Sequence, residues 1–387
     1  MSGQSISESP AGAIRIKNVG WTVGNYCNAA CSHCYSARPR QGTREQLREA
    51  DIDRIVGQLA RLQVETVNIG GNEPIYTHGP DPSDSLLPYL IKRLDEAGFA
   101  VGITTNGTTF AYLDRHHPEA LERVDDLDFS LDWPMAERHD ETRKAPLYET
   151  VVHSLQRARA MEIPASAVVC ATTENFTPET LTKFLDLCAN LGCELRFNLL
   201  KPVEPWLREL MPRPEQVFAG FAHLHTRSEC VAQCESILTP FAGTGSQGCP
   251  CGTSSFRIGL KTADGRVPIT PCVYLNNFST GDLLREDVFD ILASPAFDRI
   301  RRRNAEIPAA CREADCRFVE QCRGGCAART YFVVGTIDAP DPYCPLQFLA
   351  HGGQAPELPI VPNGRPARVR VHDDYLCTWI GAPVASR

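Results

Sequence analysis

The sequence lacks long apolar runs, and no uninterrupted stretch of its 387 residues approaches the roughly 18 residues that a membrane-spanning helix needs. The polar segment 1–12 lacks the apolar core of an export signal. No long basic run is present, and the formal net charge of -8 argues against a general nucleic-acid-binding protein. These absences predict a cytoplasmic protein with neither a membrane nor a nucleic acid as partner.

Cysteine, in contrast, is abundant, with 17 residues in the chain. Disulfides are a poor account of them, because a chain without an export signal stays where thiols are kept reduced. Three of these residues, Cys27, Cys31 and Cys34, follow the short apolar run 19–26. A tetrahedral zinc site needs four ligands, whereas a cubane iron-sulfur cluster held by three cysteines keeps one iron open. The spacing therefore favours a cluster, with a zinc loop as the alternative.

The C-x3-C-x2-C spacing, with His33 in the aromatic position before the third cysteine, resembles the signature of radical S-adenosylmethionine (SAM) enzymes. The resemblance implies that the amino and carboxylate groups of SAM chelate the open iron. It also implies that an electron from the cluster cleaves SAM to a 5′-deoxyadenosyl radical, which abstracts hydrogen from a substrate. Such an enzyme needs a reducing partner such as flavodoxin or ferredoxin.

The first two hundred residues alternate β-rich runs with amphipathic helical patterns. The six runs are 19–26, 64–69, 99–105, 127–131, 165–171 and 194–200. The helical patterns are 44–62, 86–97, 147–161 and 178–191. Repeated strand-helix units predict a parallel sheet, and six of them predict an α/β fold built on a partial (β/α)6 TIM-like barrel over residues 15–205. Four prolines within 202–214 predict a boundary, followed by a linker or helical bridge at 206–245.

Polar motifs follow the runs at the face where parallel barrels build active sites. The segment 70–74 resembles the G-G-E-P motif of the radical SAM family, with Asn72 in place of the second glycine. Asparagine tolerates left-handed backbone angles, so the tight turn can survive. An ordinary strand-to-loop turn is the alternative. Ser130 and Arg143 resemble the family's contacts to the methionyl carboxylate and ribose, while Asn106 and Asn175 either approach the cofactor or shape turns. The SAM-binding set implied by the resemblance is His33, Gly70, Gly71, Asn72, Glu73, Asn106, Ser130 and Arg143.

Eight cysteines crowd into residues 246–350. Their order resembles the SPASM extension of radical SAM enzymes, a small cysteine-rich α+β domain, although the Cys311–Cys316 gap and the Gly265–Cys272 gap are each two residues longer than usual. The resemblance implies two auxiliary clusters and therefore three 4Fe-4S clusters in total. The ligands implied are Cys249, Cys251, Cys272 and Cys326 for auxiliary cluster I, and Cys311, Cys316, Cys322 and Cys344 for auxiliary cluster II. Zinc knuckles are the alternative, and Cys249 is the least secure ligand.

Other cysteines are expected to be structural. Cys170, Cys188 and Cys193 fit packing roles. Cys230 and Cys234 are predicted one turn apart on a helix near two histidines, where packing is expected and a metal pair is the alternative. Cys377 belongs to a C-terminal tail, 351–387, that could cover the active site. We expect its thiol to be inert, and hydrogen donation to a substrate radical is the alternative. No catalytic residue is assigned, and the acid or base candidates by placement alone are Asp132, Glu174, Tyr274 and Asp282.

Known members of this layout modify ribosomally made peptides, oxidise a sulfatase side chain or dehydrogenate sugars and aminocyclitols. Sulfatase maturation is disfavoured, because that subgroup carries an acidic residue where Val273 stands. The first motif lies near residue 27, which leaves no room for a leader-binding domain of roughly 80 to 90 residues. A peptide is therefore expected either to bind the barrel itself or to be delivered by a separate leader-peptide-binding protein. Peptide modification is the first hypothesis. The alternatives are dehydrogenation or epimerisation of a small metabolite such as an amino sugar or aminocyclitol, and a non-catalytic iron-sulfur electron carrier.

Overall fold

Six parallel strands form the centre of the protein in a computed structural model that describes residues 15–36, 46–242, 248–358 and 375–384. The strands are β1 Asn18–Thr22, β2 Thr66–Gly70, β3 Ala100–Thr105, β4 Asp126–Ser130, β5 Ala165–Ala171 and β6 Glu194–Leu199. Each pairs in parallel with the next along the chain. The predicted α/β fold with a partial parallel barrel is confirmed.

Helices connect these strands and cover the outside of the sheet. They are α1 Glu49–Arg61, α2 Leu87–Glu96, α3 Thr108–His116, α4 Pro118–Leu121, α5 Ala136–Arg143, α6 Tyr148–Ala160 and α7 Pro178–Leu191. In α1 the buried residues include Ile52, Ile55 and Leu59, spaced three and four apart, so one helical face packs into the core. Helix α7 begins after Thr177, whose hydroxyl accepts the Thr180 N–H, and ends before Gly192 in the left-handed conformation.

Four further strands extend the sheet at both edges. They are β7 Ser228–Gln233, β8 Ser255–Ile258, β9 Ile269–Thr270 and β10 Trp379–Pro383. The complete order is β7-β10-β6-β5-β4-β3-β2-β1-β8-β9. Strand β8 pairs in parallel with β1, while β10 lies between β6 and β7 and is antiparallel to both. The C-terminal strand therefore becomes an interior strand of the sheet.

The helix predicted for Cys230 and Cys234 is wrong. Cys230 lies in β7, and Cys234 follows that strand and donates its N–H to Thr378 O at 2.9 Å. The segment is extended because β10, about 150 positions later, supplies its hydrogen-bonding partner. The two nearby histidines are engaged elsewhere: His223 Nε2 lies 2.9 Å from Thr182 Oγ1, and His225 accepts a hydrogen bond from Trp379. The contacts favour packing at this position.

The remaining helices follow the sixth strand. They are α8 Pro214–His225, α9 Thr239–Ala242, α10 Val288–Leu292, α11 Pro295–Glu306, α12 Ala309–Glu313, α13 Val319–Cys322, α14 Ala327–Val334 and α15 Pro345–Ala350. Short 3-10 helices span Pro82–Asp84, Pro205–Leu210 and Asn276–Phe278. Among the helices that the structure describes, none combines the length and apolar character that crossing a bilayer requires. Of the predicted tail, residues 359–374 and 385–387 lie outside the described residues.

Candidate functional site

The cysteine loop, residues 27–34, lies at the carboxyl end of β1 and is held by three neighbouring loops. From the β2 loop, Asn72 Nδ2 donates at 2.8 Å to Gly24 O, in the segment that joins β1 to the cysteine loop. From the β3 loop, Asn106 Nδ2 lies 3.9 Å from the Cys27 sulfur. At the end of α5, the Arg143 carbonyl accepts the Ala30 N–H at 3.0 Å. These contacts fix a loop that has no regular secondary structure of its own.

All three thiols of the cysteine loop line one pocket at this end of the barrel. The pocket is also lined by the predicted residues His33, Gly71, Asn72, Glu73, Asn106, Ser130 and Arg143. Gly70 lies just outside it and lines the adjoining cavity in the barrel interior. The structure therefore brings together residues from the ends of four strands, which is how a parallel barrel builds a site from distant segments.

The turn after β2 depends on two residues in the left-handed region. Gly71 has φ of +75°, and a Cβ there would lie 2.6 Å from the Thr22 hydroxyl oxygen. Asn72 has φ of 52°, which asparagine adopts more readily than most residues. The sequence expectation that Asn72 preserves the turn is confirmed, and the backbone of this segment faces the pocket.

Glu73 lines the pocket wall, but its carboxylate supports the neighbouring loop. The carboxylate accepts N–H groups from Asn106 at 2.9 Å and Thr109 at 2.8 Å, together with the hydroxyls of Thr105 and Thr109. Burial raises the pKa of Glu73 in spite of these donors. Glu73 therefore ties the β2 loop to the beginning of α3.

Asp132, Arg143 and His33 form a buried charge network beneath the cysteine loop. Arg143 Nη2 lies 2.7 Å and His33 Nε2 3.3 Å from Asp132 Oδ2, and Arg143 Nη1 donates to the Cys31 sulfur at 3.6 Å. Burial alone raises the pKa of Asp132, yet the charges of Arg143 and His33 hold it below its ordinary value. Burial lowers the pKa of His33, while the neighbouring Asp132 carboxylate raises it. Asp132 is thus a counter-ion, a role that its position after β4 did not reveal.

Arg143 retains a capacity for ligand binding. Burial lowers its pKa, but Asp132 and the Cys31 thiol raise it above the ordinary value, so the side chain keeps its charge. Its buried Nε has no hydrogen-bond partner among the described residues. A cationic side chain with an unused donor in this pocket suits a carboxylate ligand.

The other acid or base candidates lie in different places. Tyr274 lines the pocket, with Lys201 over its ring at 5.4 Å. Glu174 is largely exposed and pairs with Arg138. Asp282 is outside the pocket and accepts the N–H groups of Val267 and Leu284, each at 3.0 Å. Tyr274 is therefore the candidate in this group that reaches the cysteine pocket.

Asn175 has one of the two roles expected of it, whereas Cys170 lies at an unexpected place. The Asn175 amide donates to Asp132 O at 3.0 Å and Cys170 O at 2.9 Å, and its oxygen accepts the Thr172 N–H at 2.7 Å, so it shapes a turn. Cys170, expected to pack within a strand, lines the pocket, and burial raises the pKa of its thiol. Membership of β5 does not by itself show whether the Cys170 side chain faces the pocket, because successive residues of a strand face opposite sides of the sheet.

A second site, the thiol cage, contains the four cysteines predicted for auxiliary cluster I and one more. Its members are Cys249, Cys251, Cys272, Cys326 and Cys377, all buried in a cluster of their own with apolar neighbours. Asn304 in α11 donates to Cys249 O at 2.9 Å and Cys251 O at 3.1 Å. Contacts with the Cys249 and Cys377 thiols hold the pKa of Cys326 well below its ordinary value. Cys377, whose thiol was expected to be inert, thus lies together with the four predicted ligands.

The second auxiliary set contains Cys311, Cys316, Cys322 and Cys344, which lie within electrostatic range of one another. Burial raises the pKa of Cys311 to about 11. The Cys344 sulfur accepts N–H groups of Leu346 and Gln347 at the beginning of α15. Burial raises the pKa of Cys344, and these two donors oppose that effect by stabilising the thiolate, which is the form that binds iron.

The donor chemistry of all three groups fits iron-sulfur clusters, whose usual ligands are cysteine thiolates. Within the described residues, no group of three or more His, Cys, Asp or Glu side chains is arranged to hold a single metal ion. The fit therefore rests on which thiols the fold gathers and on the donors around them.

Comparisons with known proteins match both halves of the chain. The model of the Radical SAM superfamily matches residues 21–188, and that of the iron-sulfur cluster-binding SPASM domain matches residues 249–317. Mycofactocin maturase MftC of Mycobacterium ulcerans is 29% identical over 339 residues, covering 84% of this chain and 86% of that protein.

Solved structures share the fold. Streptococcus suis SuiB bound to precursor peptide SuiA has a TM-score of 0.62 at 14% identity, covering 89% of this chain and 84% of that one. Native anSMEcpe with bound AdoMet has a TM-score of 0.63 at 13% identity, covering 86% of this chain and 95% of that one.

Proposed function

Because this chain belongs to the radical SAM superfamily and carries a SPASM domain, we propose that it modifies a ribosomally synthesised peptide, by a cross-link or another oxidative change. When bound, the cluster and SAM supply a 5′-deoxyadenosyl radical that abstracts hydrogen from the substrate. The protein binds and orients these groups and excludes water, while the cofactor carries the difficult chemistry.

The cysteine loop is proposed to hold the SAM-binding 4Fe-4S cluster through Cys27, Cys31 and Cys34. Arg143, kept charged by Asp132, would face the carboxylate of SAM with its unused Nε. Glu73 would act indirectly, by fixing the turn that contains Gly71 and Asn72. The proposed SAM-binding residues are His33, Gly70, Gly71, Asn72, Asn106, Ser130 and Arg143, with Glu73 positioning them.

The C-terminal cysteines are proposed to hold two auxiliary 4Fe-4S clusters, giving three clusters in all. Auxiliary clusters could accept the electron left on a substrate radical, which suits a net two-electron oxidation. A flavodoxin or ferredoxin would supply the reducing electron. The proposed division of the chain is a radical SAM barrel at 15–205, a bridge at 206–245, an auxiliary-cluster domain at 246–350 and a tail at 351–387.

The observation that carries the peptide proposal is a groove leading away from the cysteine pocket. A cavity of about 580 Å³ shares Cys34, Tyr35 and Tyr274 with the pocket and continues to Tyr331 and Phe332 in α14. A cavity of this volume lies within the range of about 300–1,000 Å³ that receives drug-sized ligands. Its lining residues run from the cysteine loop to α14, and this arrangement favours an extended substrate over a small metabolite.

The walls of this groove are chemically mixed, as peptide recognition requires. Aromatic rings of Tyr274, Tyr331 and Phe332 offer apolar contacts, while Glu204 and Arg208 supply charge. Arg208 Nη2 donates to Phe332 O at 2.6 Å, which joins the two walls. The likeness to a maturase, and the shared fold with a protein bound to its precursor peptide, support the same proposal. A separate leader-peptide-binding protein would deliver the peptide.

Anaerobic mass spectrometry tests the proposal. Reconstituted protein, SAM, reductant and a peptide encoded beside this gene are combined in deuterated water, with Cys34→Ala as control. A peptide two hydrogens lighter supports a cross-link or desaturation, and one that gains a single deuterium supports epimerisation. Deoxyadenosine formation with an unchanged peptide would reject that substrate and favour the small-metabolite alternative. Absence of deoxyadenosine from the wild-type protein would contradict the cofactor assignment itself.

A further inference from the structure

The thiol cage contains one thiol more than a four-iron cluster needs. Its cysteines come from four separate segments, and a 4Fe-4S cluster is held by four cysteine thiolates. Four of the five are those that the SPASM resemblance implies, and the fifth, Cys377, belongs to the C-terminal segment. Only four of these five thiols can therefore be ligands of one such cluster.

Cys377 is held in the cage by main-chain structure. It lies two residues before β10, whose ladder pairs Trp379 with Phe197 of β6 and with Gln233 of β7. The next residue, Thr378, donates its hydroxyl to Phe197 O at 3.1 Å. Lys201 Nζ lies 3.4 Å from the Cys377 carbonyl oxygen. The thiol is 3% exposed, so the sheet fixes its position and keeps it away from solvent.

The contacts among the five thiols show that one thiol is more central in the cage than the others. Cys249 contacts the thiols of Cys251, Cys326 and Cys377. Cys251 contacts Cys249 and Cys272, whereas Cys377 contacts Cys249 and Cys326. Cys249 therefore contacts three of the other four thiols, more than Cys251 or Cys377 does. In a ligated cluster the inorganic core occupies the centre, and the ligands surround it.

We propose that Cys377 is the fourth protein ligand of auxiliary cluster I, together with Cys251, Cys272 and Cys326, and that Cys249 is not a ligand. Ser236 Oγ, which donates to Gly248 O at 2.9 Å, lies 3.6 Å from the Cys377 sulfur and is its polar neighbour in the cage. The C-terminal strand thereby becomes part of the cluster site. The inference rests on the auxiliary cluster that the proposed function includes.

Iron analysis and electron paramagnetic resonance (EPR) of the full chain test the assignment. The parent is the variant Cys27→Ala/Cys31→Ala/Cys34→Ala, so that the remaining iron signals come from the auxiliary sites. Adding Cys377→Ala leaves three ligating thiolates, so the EPR signal of the reduced auxiliary cluster should shift or be lost. Adding Cys249→Ala should leave both the iron content and the spectrum unchanged. Cys230→Ala, in β7, is the matched control for loss of a thiol from the same sheet.

Cys377→Ser guards against a general loss of folding. Serine keeps the side-chain size and offers an oxygen ligand, so the EPR signal should shift while the circular dichroism spectrum stays that of the parent. An unchanged signal and iron content in both Cys377 variants, or loss of the cluster in Cys249→Ala alone, would overturn the assignment. A parent that holds no iron before Cys377 is altered would show that the auxiliary-cluster premise has failed, and the assignment with it.

Discussion

The cysteine loop and the thiol cage hold sulfur in opposite ways. The three cysteines of the loop lie within eight consecutive residues and are partly exposed in a polar pocket. The five thiols of the cage span residues 249–377 and are buried among apolar side chains. The loop needs its neighbours to set its orientation, whereas the cage exists only when β10 has entered the sheet. This difference shows that a set of ligands can be recognised in the sequence only when its members are close together along the chain.

The largest expected effect is loss of activity at the cysteine loop without loss of iron from the auxiliary sites. Cys34→Ala should reduce deoxyadenosine formation to background, because three thiolates are the minimum that keeps one iron open for SAM. The iron of the auxiliary sites should remain. Deoxyadenosine assays and iron analysis of the reconstituted variant measure both effects, with Cys230→Ala as control. Loss of all iron would contradict the independence of the two sites.

Asp132→Asn should be strongly destabilising, because it leaves Arg143 as a buried charge without its counter-ion. The expected loss is about 3–5 kcal/mol in the free energy of unfolding. Urea denaturation followed by tryptophan fluorescence measures it. Glu174→Gln removes a partner from an exposed pair and should cost less than about 1 kcal/mol. Equal losses in the two variants would show that burial of the network does not determine its energy.

Lowering the pH should destabilise the fold around the thiol cage, because His225 becomes protonated. Trp379 Nε1 donates to His225 Nε2 at 3.0 Å, and burial lowers the pKa of His225 to about 4. The folded state is therefore more stable with neutral His225 than with protonated His225. This stabilisation is complete above pH 6.5 and is lost as the pH falls toward 4. At pH 5 the loss should be at most about 2 kcal/mol.

His225→Gln tests this pH dependence, because glutamine keeps an acceptor for Trp379 but does not titrate in this range. Its urea midpoint should fall less than that of the wild type between pH 7 and pH 5. His223→Gln is the matched control on the same helix. A variant that follows the wild-type profile would assign the acid sensitivity to other groups, such as His139, whose pKa burial also lowers to about 4.

The smallest effect concerns Asn304, which donates to the carbonyls of Cys249 and Cys251. Asn304→Ala should cost about 1–2 kcal/mol, because two buried acceptors lose their donor. The auxiliary EPR signal should broaden or shift, while deoxyadenosine formation from the cysteine loop continues. Asn277→Ala, at an exposed position, should change stability by less than about 0.5 kcal/mol. An unaltered auxiliary signal in Asn304→Ala would show that α11 does not position the cage.

The six core strands were predictable because short apolar runs alternate with amphipathic helical patterns, and polar or turn residues follow each run. Strand β5 covers the predicted range 165–171, and β6 ends one residue before the prediction. Strand β7 was mistaken for a helix, because its six residues carry no decisive local period and its hydrogen bonds go to β10. Short segments of this kind take the structure of the partner they meet.

Prediction of the candidate site has the same limit, since contacts between distant segments cannot be predicted from local sequence. The glycine and asparagine of the β2 turn were identified correctly, since their backbone requirement is local. The counter-ion role of Asp132 was not identified, because it depends on His33 and Arg143, which lie about 100 and 11 positions away. Cys377 was expected to be inert, since no motif surrounds it. Its four neighbouring thiols come from segments that only the folded sheet brings together.

The sequence by itself determined the parallel barrel, the cysteine loop and the order of the C-terminal cysteines, because regular strand-helix alternation and short cysteine spacings are properties of neighbouring residues. The tertiary structure decided that β10 lies inside the sheet, that Asp132 neutralises Arg143 and that five thiols share one cage. Those contacts join segments far apart along the chain. Their formation depends on backbone hydrogen bonds and burial that no single stretch of sequence contains.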